Sequence, residues 1–226
     1  MQFSEECGRI REKNGGRERE ERVLCGRYTL FAGEKGQELQ RLLREIERKS
    51  LLSLVPERDL FPSEEAPVYA VLQGKIRLQA MRWGLPNPYR SGLIINARAE
   101  TASQKKLFRA SLHSLRCAVP CSGFYEWDRE KRAYRFSAGH SELLYMAGIY
   151  SHWDDGARFI ILTVPANLSV APVHDRMPLI LPRQSVRTWL CDGERAPYML
   201  QSRGPALTRT AVRERQEEPA PLFSAV

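Results

Sequence analysis

Residues 143–164, LLYMAGIYSHWDDGARFIILTV, carry two apolar runs, Leu143–Ile149 and Arg158–Val164, on either side of Asp154-Asp155-Gly156. Runs of this length, rich in aromatic and β-branched residues and separated by an Asp-Gly turn signal, predict an antiparallel hairpin. The pattern recurs upstream, where Val68–Leu72 and Ile76–Arg82 flank Gln73-Gly74-Lys75, and shorter strands are expected at Arg27–Phe31, Cys117–Val119 and Phe124–Trp127. Helical spacing is confined to three places. Leu39, Leu42, Leu43 and Ile46 follow the i, i+3, i+4, i+7 rule. Ser103–Leu115 turns Leu107, Phe108, Leu112 and Leu115 inward, and Pro182 opens a short helix carrying Val186, Trp189 and Leu190. Many strands with few helices predict an α+β fold: one domain with a curved, mostly antiparallel sheet or barrel-like core flanked by a few helices.

The chain of 226 residues is long enough for one good core, and no internal repeat divides it. Its formal charge of +8 invites a polyanionic partner. Residues 1–24 contain six Lys/Arg and six Glu, so the whole excess lies on the body. That leader, poor in apolar residues, reads as a solvated tail with no fold of its own. No apolar run is long enough to cross a bilayer and the first thirty residues lack a signal-peptide core, which predicts a soluble, cytoplasmic protein with no membrane partner. Five cysteines without regular spacing predict free thiols. Cys117 and Cys121 have no second pair or nearby His to complete a zinc set, so neither metal nor cofactor is expected.

Polar residues collect in three segments. In Ile94-Ile95-Asn96-Ala97-Arg98-Ala99-Glu100 a strand's period of two places Asn96, Arg98 and Glu100 on one face, which taken by itself reads as an ordinary solvent face. In Ser122-Gly123-Phe124-Tyr125-Glu126-Trp127 a carboxylate among three aromatics either tips into water or is partly desolvated, the second case suiting acid/base work. In Val173-His174-Asp175-Arg176-Met177-Pro178 a histidine follows an apolar strand beside acid, base and proline.

Taken in order, LCGRYTL, MRWGL, INARAET, CSGFYEW and HDRMPLIL resemble the SRAP (SOS response-associated peptidase) family, whose members crosslink to abasic sites in DNA. The likeness runs from Cys25 to Pro182 and implies a domain over 25–205, with 1–24 absent from the mature protein and 206–226 a partly ordered tail. It implies Cys25, Asn96, Glu126 and His174 as catalytic residues. Arg27, Trp83, Arg98 and Arg176 match positions that look toward DNA, arginines on phosphate and an aromatic near unstacked bases. After Trp83 the segment Pro86-Asn87-Pro88-Tyr89 departs from the family pattern and lacks its second tryptophan. The implied partner is single-stranded DNA with abasic sites, bound by a nucleoid-associated monomer in the DNA damage response, with a self-cleaving peptidase activity beside the crosslink.

The chemistry of Cys25 accords with this resemblance. A ring-opened abasic site is an aldehyde, and a residue bearing a free α-amine beside its own thiol can form an imine and close a thiazolidine. Only an N-terminal cysteine has both; its amine (pKa about 7.7 to 8.0) and thiol (about 8.5) are available near neutral pH. Cys25 is internal as numbered. Leu24, standing where the family has its initiator Met, is a residue that an alternative start codon encodes when read internally, so translation from that codon is expected; self-cleavage of the leader is the other route. Two further function classes fit the residues: a thiol peptidase or amidohydrolase using Cys25 and His174, and a single-stranded DNA-binding module without chemistry.

Overall fold

The computed structural model describes residues 26–30, 37–49, 59–138 and 143–212. In chain order these hold β1 (Tyr28–Thr29), α1 (Gln37–Arg48), β2 (Asp59–Leu60), β3 (Glu65–Leu72), β4 (Lys75–Trp83), β5 (Leu85–Pro86), β6 (Leu93–Ile94), β7 (Asn96–Arg98), α2 (Ala99–Ala102) and α3 (Lys106–Ser114). They continue with β8 (Arg116–Cys121), β9 (Gly123–Trp127), β10 (Ala133–Ser137), β11 (Leu144–Trp153), β12 (Gly156–Pro165), β13 (Arg176–Pro178), β14 (Ile180–Leu181), α4 (Val186–Cys191), α5 (Ala196–Met199) and β15 (Thr208–Ala211).

Both hairpins read from the sequence form. Gln73 and Gly74 have φ of 51° and 72°, the left-handed pair whose twist suits a two-residue hairpin between β3 and β4. These strands belong to a closed five-stranded barrel: β3 pairs with β4 and β8, β8 with β11, β11 with β12, and β12 with β4. Only the β12–β4 pairing in that ring is parallel. Every residue of β8 is buried, as are Leu144–Tyr150 and Phe159–Val164. The barrel interior covers one face of these strands and the helices much of the other, so they read as unbroken apolar runs and not as alternation. The α4 indole of Trp189 donates to the Cys117 carbonyl at 2.9 Å. Arg116 donates to the carbonyls of Leu112, His113 and Trp189, capping the C-terminus of α3 and tying it to α4. Burial raises both thiols of β8, that of Cys121 to about 12, and makes them inert core groups.

A second, five-stranded antiparallel sheet runs β15-β10-β9-β1-β2. Its edge strand, Thr208–Ala211, lies within the stretch that the sequence assigns to a tail. In α1, Leu42 and Ile46 are buried and Leu43 half-buried, as the spacing predicts; the side chain of Leu39 lies outside the described residues. The expected helix over 103–115 starts later, at Lys106, because the chain first closes α2; of its four inward-facing residues only Phe108 is fully buried. Strands β10, β13, β14 and β15 carry too few residues or too mixed a pattern to be read without their partners.

Gly148 of β11 lies between β8 and β12 with no room for a side chain. A Cβ on Gly148 would stand 2.8 Å from both Cys117 Sγ and the Ile160 carbonyl. Gly148→Ala should therefore lower stability by about 1–3 kcal/mol in chemical denaturation. Gly193→Ala, where a Cβ meets nothing within 4 Å, should change it by less than about 0.5 kcal/mol; equal losses would refute the packing argument.

Candidate active site

Past its middle, β12 changes neighbours. On one side β7 runs parallel to it, setting Asn96 against Ile161 and Arg98 against Thr163. On the other side β13 sets Pro178 against Thr163 and Arg176 against Pro165. The Asn-Ala-Arg and His-Asp-Arg segments, about eighty residues apart in the chain, thus bracket one strand. Arg176 ties them together. Its guanidinium, inside the protein, donates to the Thr163 carbonyl at 2.7 Å and hydroxyl at 3.2 Å, and forms a two-pronged pair with Glu100. The Arg176 hydrogen bond holds the Glu100 carboxyl below its ordinary value of 4.5, outweighing the opposing effect of burial.

His174 is buried, and its Nδ1 accepts the Arg176 backbone N–H at 3.1 Å. In the neutral ring that bond leaves the proton on Nε2. The exposed carboxylate of Asp175 lies 3.0 Å from the same Nδ1 and accepts a hydrogen bond from it only when Nδ1 carries a proton and gives up the Arg176 amide. Asn96 is half-buried and Arg98 exposed at the entry to α2.

Glu126 comes from the other sheet and is 1 % exposed. In β9 it shares a face with Phe124, which pairs with Tyr28 of β1. That face turns toward the barrel, because Tyr28 packs on Trp83 at 5.1 Å between ring centroids. The pairing Tyr28–Phe124, carried two residues further, sets Gly26 opposite Glu126. Cys25 itself lies outside the described residues.

Three of the residues expected to contact DNA are engaged with other parts of the protein. Trp83 is fully buried, stacked near Phe159 at 6.4 Å with its indole donating to the Ile95 carbonyl at 3.2 Å, so no ring face is open to a base. Arg176 is committed to Glu100 and Thr163. Arg27 is paired with Asp59 and lies 4.2 Å over the Tyr125 ring, on the sheet face opposite to that of Glu126. Of the four, Arg98 alone is exposed with no ion pair among the described residues. Glu100, read as part of a strand face, instead sits in the first turn of α2, since β7 ends at Arg98. Its role as the partner of Arg176, and that of Asp59 as the partner of Arg27, escaped the sequence; only the motif position of Glu100 offered a signal.

The profile of the SOS response associated peptidase (SRAP) family matches residues 24–215. The chain belongs to this family. Among its SRAP-type relatives, Abasic site processing protein YoqW of Bacillus subtilis is 35% identical over 199 residues, covering 79% of this chain and 85% of that protein. Abasic site processing protein HMCES of Xenopus tropicalis is 35% identical over 156 residues, covering 52% of this chain and 46% of the relative. A crystal structure of a protein from Bacteroides thetaiotaomicron superimposes with a TM-score of 0.68 at 23% identity over 84% of this chain and 92% of that one, a likeness of fold.

The Glu100–Arg176 pair carries a pH signature. Because the folded-state pKa of Glu100 lies below its ordinary value, its stabilising contribution is present above pH 4.5 and is lost as pH falls through the folded value. The stability gap between wild type and Arg176→Met should be widest near neutral pH and narrow on acidification below 4.5. A gap that stays constant from pH 7 to pH 3 in urea titrations would exclude the pair as its source.

Proposed function

We propose that this protein captures abasic sites in single-stranded DNA by forming a thiazolidine between the lesion's aldehyde and an N-terminal Cys25. The observation that carries this reading is the burial of Glu126 on the inward face of β9, in register with Gly26, the residue next to Cys25. A carboxyl group beside the first residue of the mature chain can move protons at that residue's amine. The names of the relatives, abasic site processing proteins, support the substrate class.

The α-amine of Cys25 adds to the aldehyde carbon and water leaves, giving an imine. The thiolate then adds to the imine carbon, the nitrogen regains a proton, and the five-membered ring closes. Glu126 shuttles protons at the amine, and Asn96 orients the cysteine. His174, with Nδ1 held by the Arg176 amide, presents Nε2 for acid/base work on the sugar as it opens. Arg98 holds phosphate. The same cysteine and carboxyl release a preceding leader by self-cleavage, in which one water hydrolyses the Leu24–Cys25 peptide bond to leave a leader carboxylate and the free α-amine of Cys25. Translation starting at codon 24, followed by hydrolytic removal of the initiator Met, supplies the same terminus.

Intact mass after mixing with single-stranded DNA carrying one abasic site tests the reading. Wild-type protein beginning at Cys25 should gain the mass of the DNA less one water, and Cys25→Ala should gain nothing while still binding reversibly. Crosslinking by protein that retains Met1–Leu24, or by Cys25→Ala through a lysine, would overturn it. Glu126→Gln should slow the crosslink by about 10²–10⁴-fold. His174→Ala should slow it on ring-closed sugar and much less on a simple aldehyde; equal losses on both would refute its assigned role. Arg98→Ala should weaken capture and reduce the salt slope by about one.

A further inference from the structure

A cleft of about 1160 Å³ opens beside the site. It begins at Ala99 and Glu100, the residues after Arg98, and runs along the end of β12 between α3 and the strip 200–206. Its charge is one-sided. Arg109, His113 and Arg203 line it, and neither arginine has an ion pair among the described residues, whereas the acidic lining residue, Glu100, is matched by Arg176. On its rim stands Leu168, 93% exposed.

An exposed leucine is ordinary on a surface, but this one sits on a loop whose shape is fixed. Asn167 Nδ2 donates to the carbonyls of Arg203 and Pro205 at 3.2 and 2.7 Å. Asn167 Oδ1 accepts from the Ser169 amide at 3.0 Å and from the Ser169 hydroxyl, which in turn accepts the Leu207 amide. The loop therefore cannot fold its apolar tip away, and it leads directly to His174, with the Ala166 amide donating to the Asp175 carbonyl. A rigid apolar tip facing a basic channel matches the needs of a single strand, whose bases pack on apolar groups while cations follow its phosphates.

We infer that this cleft is a nucleotide subsite. It seats the nucleotides flanking the lesion on one side, with Leu168 against an unstacked base and Arg109 and Arg203 against phosphates, a role that rests on the proposed capture of abasic single-stranded DNA. Leu168 takes up the base contact that buried Trp83 cannot make.

The test uses oligonucleotides with one abasic site, trimmed by single nucleotides from the 5′ or the 3′ side. Crosslinking rates at subsaturating DNA are compared for wild type, Leu168→Ser and the Arg109→Ala/Arg203→Ala pair, each checked for an unchanged melting temperature. Trimming one side should slow wild type about tenfold or more. Each variant should be slowed on full-length DNA and lose less than wild type on that trimming. Variants as fast as wild type on full-length DNA, or as sensitive to trimming, would overturn the subsite. If wild type fails to crosslink, the thiazolidine reading falls by itself, and anisotropy of lesion-free strands of the same lengths decides the subsite by the same comparison.

Discussion

The indole of Trp83 is packed where three parts of the molecule meet. One neighbour is Tyr28 of β1, in the open sheet; another is Phe159 of β12, in the barrel; and its N–H reaches the carbonyl of Ile95, next to Asn96. Each contact leads within a few residues to a candidate catalytic group. A large aromatic with no exposed surface contributes several kcal/mol through buried area, and its one polar atom is satisfied by a hydrogen bond. The ring thereby sets the distance between the sheet that carries Glu126 and the strand that carries Asn96. Its motif position reflects that joint: a smaller residue would leave a void between the sheets.

Buried charge is handled by the same economy. Arg176 lies inside the protein with its two terminal nitrogens held by Glu100 and Thr163, so it crosses β12 as a tie between two motifs. Losing one partner of such a pair leaves an uncompensated charge, which is why an arginine here is a structural commitment. Its backbone amide meanwhile selects the tautomer of His174. Exposed cations beside the site include Arg98 at the mouth of α2 and Arg109 and Arg203 along the adjoining cleft. Arg176 and Arg27, each matched by a carboxylate, add nothing to the formal excess of +8, which resides on cations without such a partner.

Much of this protein was determined by its sequence alone. The turn residues at Gln73-Gly74 and Asp154-Asp155-Gly156, set between apolar runs, impose two hairpins through local backbone preference, and the leucine spacing of α1 imposes its amphipathic face. The family was equally legible, because five short motifs in fixed order constrain a chain far more tightly than any one of them. What only the tertiary structure decided is which side of each element meets which neighbour. Closure of β3, β4, β12, β11 and β8 into a barrel depends on pairings between distant segments. So do the burial of Trp83 and Arg176, the pairing of Arg27 with Asp59, and the end of β7 that moves Glu100 onto a helix. Exposure and charge pairing are properties of contacts between residues far apart in sequence, and a residue's type and local spacing do not encode which distant partner it will meet.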